Sequence, residues 1–512
     1  MTLEATIATL PNRYAGPGGA IAVLRDGEVV ARHTWGWADI ERRIAFTPQT
    51  LFRMCSITKQ FTCSLLLDLF PDPSVLDDDL RQYLPELLEK SPGVLHLAHN
   101  QSGFRDYWAT AMLSGAPPEG VFTDADALRL IARTRTLHFA PGTQYSYCNQ
   151  NFRLLGDLVA RRSGRPYEVL LRERIFDRAG MPHAFISADT STMPGGTEGY
   201  EGSVEHGFRR AENNIHWTGD AGLGASLDDM IAWEKYFDAN RDDADAITSR
   251  IARPVAFNDG TPARYGFGLA RGTLHGRAIL SHGGGLRGWR SFRFYAPAER
   301  VSIVVMFNHM ADPNAAAADL FAALLDRPAP AAPEVADPGW AGKYIEPETG
   351  IATRIETMPG GKLRMHYGPG PETLIATAPG DFKSGGNRLY QDTDGVRLER
   401  ATDNQSTRLL PVSGDPVADI AGAFRSDELA ATLDIIASGG ALYGAFTGDR
   451  GTGMMHNLIP YAADIWLLPC PRALDFSPPG DWTVHVRRDG AGRVTGLEIG
   501  CWLARRIAFT RV

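Results

Sequence analysis

At 512 residues the chain exceeds one ordinary domain, so two or three are expected. A hydrophobic fraction of 44% and a charged fraction of 22% are those of a globular protein with an ample core. The formal net charge of −8 argues against nucleic acid or an anionic membrane as the main partner, and no apolar run approaches the length of a membrane span.

The start, Met1-Thr2-Leu3-Glu4, lacks the basic residues and apolar core of a signal peptide. Five cysteines, an odd number without metal-ligand spacing, make neither a disulfide framework nor a metal site. The expected setting is therefore the cytoplasm, with reduced thiols and no metal or cofactor.

Taken in order, a short amphipathic segment ends near Pro11, and residues 20–24 and 29–35 read as strands joined by the turn Arg25-Asp26-Gly27-Glu28. The segment Cys55-Ser56-Ile57-Thr58-Lys59 follows and runs into Phe61, Leu65, Leu66 and Leu69, apolar at helical spacing. From there to about residue 240 the pattern is mostly helical, clearest over residues 152–160 and 228–237. Strand patterns return at 265–269, 277–281, 289–295 and 301–307, and an alanine-rich helix spans 314–325. Strands at both ends with helices between predict one α+β domain over 1–326 whose first and last strands share a sheet.

Residues 327–338 form a stiff Pro/Ala linker by composition. Beyond it a repeat of about 80 residues places Trp340, Tyr344, Glu348, Leu363 and Tyr367 in step with Ile420, Phe424, Glu428, Leu442 and Phe446. Short alternating strands between Gly/Asp turns predict two small antiparallel β-barrels, 339–415 and 416–512, joined near 412–416.

The chemistry starts at Ser56. Lys59 lies one helical turn on, and residues three apart share a helix face. A serine hydroxyl is a weak nucleophile unless a neighbour takes its proton, and a buried lysine can do so because burial lowers its pKa. The chain has only six lysines, all its other cationic side chains being arginine, and only Lys59 has serine three residues before it. An N-cap serine followed by a solvated lysine is the competing reading. Tyr147 and Asn149 follow Pro141-Gly142 in a loop before a helix, two apart and able to face one way. A turn tyrosine packed on the core would look the same. His282-Gly283-Gly284-Gly285 opens a probable strand pair, where glycines let a backbone N–H approach a substrate carbonyl. A bulge would also use glycines there.

Ser56-x-x-Lys59, Tyr147-x-Asn149 and His282-Gly283-Gly284 together resemble the three motifs of penicillin-recognising serine hydrolases, in the same order and on the same kinds of element. Gly219-Asp220-Ala221-Gly222-Leu223 and Tyr265-Gly266-Phe267-Gly268-Leu269 lie between them as further likenesses. The resemblance covers roughly residues 10–325 and falls in the class C β-lactamase branch. His282 stands where relatives that bind carboxylates usually carry lysine. Together with two C-terminal barrels, this looks most like the D-stereospecific aminopeptidases. The implied fold is a β-lactamase-like catalytic domain followed by two barrels. The implied reaction is release of an N-terminal D-amino acid, or glycine, from a small peptide, amide or ester through acyl-Ser56. Lys59 and Tyr147 would move protons, Asn149 would hold Lys59 or the substrate, and the N–H groups of Ser56 and Gly285 would bind the oxyanion, with His282 lining the site. A loop of the last barrel would bring Asp475 to the substrate amine; a solvated turn aspartate is the alternative. The resemblance leaves room for a homodimer.

Three rival functions remain at this point. A D,D-carboxypeptidase, β-lactamase or esterase could use the same scaffold. Cys55 or Cys148 could be a thiol nucleophile, although buried cysteine is commoner. The chain could also be a non-catalytic sensor, since fold does not fix function.

Overall fold

The computed structural model describes residues 2–325, 338–476 and 478–512. The expected linker, Pro338 excepted, falls outside the described residues.

The first part of the chain is built on an eight-stranded antiparallel sheet. Its strands are β1 (Gly18–Arg25), β2 (Glu28–Asp39), β3 (Ile44–Ala45), β4 (Tyr265–Gly266), β5 (Leu269–Leu274), β6 (Arg277–Leu286), β7 (Trp289–Ala296) and β8 (Val301–Phe307), in the spatial order β4-β5-β6-β7-β8-β1-β2-β3. The central pair joins the two ends of the region, with Gly19 opposite Phe307 and Arg25 opposite Val301, as the sequence pattern predicts. Side chains alternate across β1, so each face has its own core. Ile21 and Val23 pack with Leu10 of α1 (Leu3–Arg13) and Phe321 of α5 (Pro313–Leu325). Ala20, Ala22 and Leu24 meet the helical layer made by α2 (Thr58–Leu69), α3 (Asn149–Ser163) and α4 (Leu227–Ala239). This two-faced burial is why residues 18–24 read as an almost unbroken apolar run.

β6 is longer than the pattern at 277–281 suggested. It runs through His282 and the glycines to Leu286, paired with β7 from Leu280 onward, whereas β5 accompanies it only as far as Ser281 opposite Ala270. On the side away from β7 the glycine half therefore borders Met54 and the turn Cys55–Ile57 rather than another strand.

Both repeats form rolled sheets. In the nine-stranded sheet, the strands from Gly342–Glu346 to Gln405–Arg408 follow in sequence order, and Leu410–Pro411 pairs back with Gly342–Glu346. In the ten-stranded sheet, His456–Asn457 pairs with Ala441–Gly448, and Ile459–Ala462, just after it, pairs with Ile465–Leu468. Such closure removes the exposed edges that open sheets must protect. Tyr344 and Leu363 lie in the first core, and their repeat counterparts Phe424 and Leu442 lie in the second. The barrels are fastened to each other by Tyr461, whose hydroxyl donates to Tyr344 O (3.0 Å) and Thr353 O (2.9 Å).

Candidate active site

Ser56 sits in a single 3₁₀ turn, Cys55–Ile57, that leads into α2. The residue before it, Cys55, has φ of 51°, the left-handed region that non-glycine residues rarely adopt. The turn is held by Thr58, whose Oγ1 donates to Cys55 O (2.6 Å) and accepts from Leu223 N (2.9 Å), and by Met54 N donating to Leu223 O (2.9 Å). Strain of this kind persists only where the surroundings over-determine it, and it concentrates at functional sites.

Lys59 is fully buried and its ammonium donates to Ser56 Oγ (2.9 Å), Asn149 Oδ1 (3.0 Å) and the Asp220 carbonyl (2.7 Å). Burial brings its pKa down to about 8, although the Asp220 and Asp106 carboxylates work against the fall. A lysine poised there can exchange a proton with the serine near neutral pH. Asn149, the first residue of α3, is itself held: its Nδ2 and its backbone N–H donate to Asp106 Oδ2, at 2.9 and 2.6 Å. Burial raises the Asp106 carboxyl to about 6, with the Asn149 donors and Lys59 pulling it back down. Asp220 is fixed by the Tyr107 hydroxyl (2.6 Å).

Tyr147 lies over Lys59, its ring centroid 4.9 Å from Nζ. Burial holds its phenol well above the ordinary value, partly offset by the Ser56 hydroxyl, so it is a neutral donor at rest. The loop that carries it is clamped by hairpins from both barrels. Tyr145 N donates to Asp403 O (3.4 Å), Trp502 Nε1 to Asp403 Oδ2 (2.9 Å), and Arg505 Nη1 to Gln144 Oε1 (3.0 Å).

On the other side, β6 approaches the nucleophile turn so closely that a Cβ on Gly284 would stand 2.2 Å from Met54 O. Only glycine fits. Gly285 is likewise covered, its Cβ position 2.7 Å from the Phe476 ring. His282 Nδ1 faces Gly283 O (2.6 Å) and Nε2 faces the Tyr265 hydroxyl (3.0 Å). A carbonyl can only accept, so Nδ1 carries the proton and Nε2 accepts from tyrosine. Burial and the Lys59 charge lower the imidazole pKa to about 3. His282 is therefore neutral and gives the cleft no cation.

These residues line a cleft of about 390 Å³ that Asp475 also enters. Asp475 arrives on a segment of the last barrel pinned to the first part of the chain. Arg472 pairs with Glu119 (2.8 Å), Arg287 Nη1 donates to Ala473 O (2.7 Å), and Leu474 is 1% exposed within the catalytic-side core. Asp475 reaches the wall of this cleft, not solvent as a free turn would. Burial, with the Asp106 charge second, raises its carboxyl to about 7.

Residues 3–327 match the beta-lactamase family, and residues 334–510 match D-aminopeptidase, domain B. The chain is 52% identical to the D-aminopeptidase of Gluconobacter oxydans (strain 621H), over 100% of this chain and 98% of that one. It is 46% identical to the D-aminopeptidase of Brucella ovis (strain ATCC 25840 / 63/290 / NCTC 10512), over 100% and 99%.

The chain belongs to the D-aminopeptidase family.

Among solved structures this D-aminopeptidase family member resembles the octameric penicillin-binding protein homologue from Pyrococcus abyssi, with TM-score 0.55 and 20% identity over 79% of this chain and 98% of that one. It also resembles D-amino acid amidase from Ochrobactrum anthropi SV3, with TM-score 0.52 and 18% identity over 63% and 98%. At such identities the likeness speaks for the fold.

All seven residues singled out in the sequence come together: Ser56, Tyr147, Asn149, His282, Gly285 and Asp475 line one cleft, and Lys59 lies beneath Ser56. Four further contributors have weaker sequence signals. Asp220 and Tyr265 belong to the secondary likenesses quoted above, whereas Asp106 and Trp502 carry no local pattern at all. The thiol alternative fares badly, because burial pushes Cys55 up to about 12 and Cys148 well above its ordinary value. Among the described residues no group of three or more His, Cys, Asp or Glu side chains is placed to hold a metal ion, and no helix is long and apolar enough to cross a membrane.

Proposed function

We propose that this protein is a D-stereospecific aminopeptidase, a serine hydrolase that releases an N-terminal D-amino acid such as D-alanine, or glycine, from small peptides, amides and esters. The observation that carries this reading is the Asp475 carboxylate facing the Ser56 cleft opposite a neutral His282. A protonated amine needs an acceptor or an anion, and Asp475 supplies one. His282 offers no cation where relatives that bind carboxylates usually carry lysine, so the acid at Asp475 is what favours a reaction directed by a substrate amine. The relatives named D-aminopeptidase over the full chain support the same choice.

In the proposed reaction Ser56 Oγ attacks the carbonyl of the N-terminal residue while its proton passes to Lys59. The developing oxyanion takes hydrogen bonds from the Ser56 and Gly285 N–H groups. Tyr147 delivers a proton to the leaving amine as the C–N bond breaks and acyl-Ser56 remains. Water adds to the ester carbonyl as it loses a proton to the same Lys59–Tyr147 pair, and the pair returns that proton to Ser56 Oγ as the C–O bond breaks and the amino acid leaves. With the amine fixed at Asp475 and the carbonyl at Ser56, only one enantiomer can direct its side chain into the remaining space.

The division of labour we propose follows the sequence: catalysis from residues 1–326, with barrels 339–415 and 416–512, the last supplying the amine site. A cytoplasmic setting and a homodimer belong to the same proposal; the five cysteines are buried and unpaired, as reduced thiols would be. The experiment is release of p-nitroaniline from D-Ala, L-Ala and Gly anilides, with nitrocefin alongside. Turnover of D-Ala and Gly but not L-Ala is expected. Fast nitrocefin hydrolysis without anilide cleavage would favour a β-lactamase instead.

A further inference from the structure

One cleft residue has no part in that reaction. Arg290 lies on β7 directly opposite Gly285, one strand away from the glycine run beside Ser56. Its guanidinium carbon stands 3.9 Å from the centroid of the Phe476 ring. Phe476 neighbours Asp475 on the same loop and also covers Gly285. Stacking occupies one face of a guanidinium and leaves its in-plane donors available.

Among the described residues those donors are unused: the Arg290 side chain makes no hydrogen bond or ion pair, and its Nε is buried without a partner. Nearby arginines differ: Arg293 is paired with Glu234 at 2.5 Å, and Arg287 donates to the carbonyls of Ala473, Pro118 and Glu212. The acid that acts on Arg290 most strongly from a distance is Asp312, and its Oδ1 is taken by Asn314 N (2.9 Å). With His282 neutral, Arg290 is the one permanent cation lining the cleft among the described residues.

Resting on the aminopeptidase reading, we propose that Arg290 is the leaving-group subsite, binding the free C-terminal carboxylate of a dipeptide whose amine is held by Asp475. A planar fork of donors matches a carboxylate and forms paired, charge-assisted hydrogen bonds with it. The preferred substrate class is then the zwitterionic D-dipeptide. Its two charges would meet an acid on the loop and a base on the strand that the loop covers, both lining the cleft that Ser56 lines. A C-terminal amide, or a longer peptide with no charge at that point, loses the second anchor.

The test compares kcat/KM for D-Ala-Gly and D-Ala-glycinamide, which share the amine and the scissile bond, in the wild type, Arg290→Gln and Arg290→Lys. The wild type should favour the free acid by about 10- to 100-fold, the range for charge-assisted hydrogen bonds. Arg290→Gln should bring the ratio near one, chiefly by raising KM for the acid, and Arg290→Lys should keep part of the preference. A wild-type ratio near one overturns the proposal, and this result needs no variant to fold. Equal losses on both substrates in Arg290→Gln, with the ratio kept, overturn it as well, because Arg290 would then only brace Phe476. The parent reading fails separately: in that case the wild type would not cleave D-Ala-p-nitroanilide at all.

Discussion

Lys59 donates to three acceptors in a site that costs it charge, so its basicity depends on keeping each of them in place. Ser56→Ala should lower kcat/KM by about 10⁴-fold or more with the fold retained, and Lys59→Arg should be nearly as damaging, since guanidinium cannot give up its proton. Substantial turnover by Lys59→Arg would show that a fixed cation is enough. The pH profile follows from two of the shifts. Asp475 must be ionised to bind the amine and Lys59 must be neutral to accept a proton, so kcat/KM should rise through about pH 7 and again near 8. The substrate amine deprotonates at about 8 as well, so the second rise is cut short and the profile peaks near pH 8. Asp475→Asn should remove the limb near 7. The same residue has a stability cost of opposite sign. A folded-state pKa raised to about 7 from 3.8 favours the protonated form, so Asp475 loses native stability as pH rises between those values. Asp475→Asn should therefore be the more stable protein at pH 8, by roughly 1–3 kcal/mol in urea unfolding.

The loop of the last barrel is an element built for rigidity. Arg472 and Leu474 fasten it on either side of Ala473, which Arg287 holds by its carbonyl, and Pro478 and Pro479 stiffen its return. Removing the Leu474 side chain leaves a hole in the catalytic-side core, and Leu474→Ala should cost about 2–4 kcal/mol in urea unfolding. The loop also walls the cleft with Ala473, Asp475, Phe476 and Pro479, an obstacle to a bulky bicyclic lactam if it binds on that side. Wild-type protein should therefore acylate slowly or not at all with penicillins. Replacing residues 473–480 by a short Gly/Ser bridge should raise acyl-enzyme formation, read by intact mass; unchanged labelling would mean that the loop is no barrier. Cutting away the whole barrel is a poorer experiment, because Ala109 and Leu113 of the helix Tyr107–Leu113 are part of that barrel's core.

At the scale of the molecule, what the sequence made legible is what repeats or has a period. The apolar run at 20–24 with its turn, the helical spacing after Ser56 and the 80-residue step from Trp340 to Ile420 led to the right elements. The three motifs, whose residues meet at one cleft, were legible because each is confined to a few neighbouring residues. Asp106, Trp502 and Arg290 were not legible, since their roles come from contacts across long separations: Asp106 N donates to Leu503 O (2.9 Å), and Arg105 Nε to Arg505 O (2.9 Å). The sequence places Asn149 in the loop before a helix, whereas it opens α3, its backbone N–H taken by Asp106. The left-handed Cys55 has no sequence signature either. The barrels thus help to build the candidate site, clamping the Tyr147 loop and lining the cleft with Asp475. The measurement that bears most directly on this account is kcat/KM for D-Ala-p-nitroanilide against its N-acetyl form, in wild type and Asp475→Asn. Wild type should prefer the free amine strongly, and the variant should lose about 30-fold or more of that preference, as expected for removing one partner of a desolvated charge pair. An unchanged ratio would contradict the account and place the amine elsewhere.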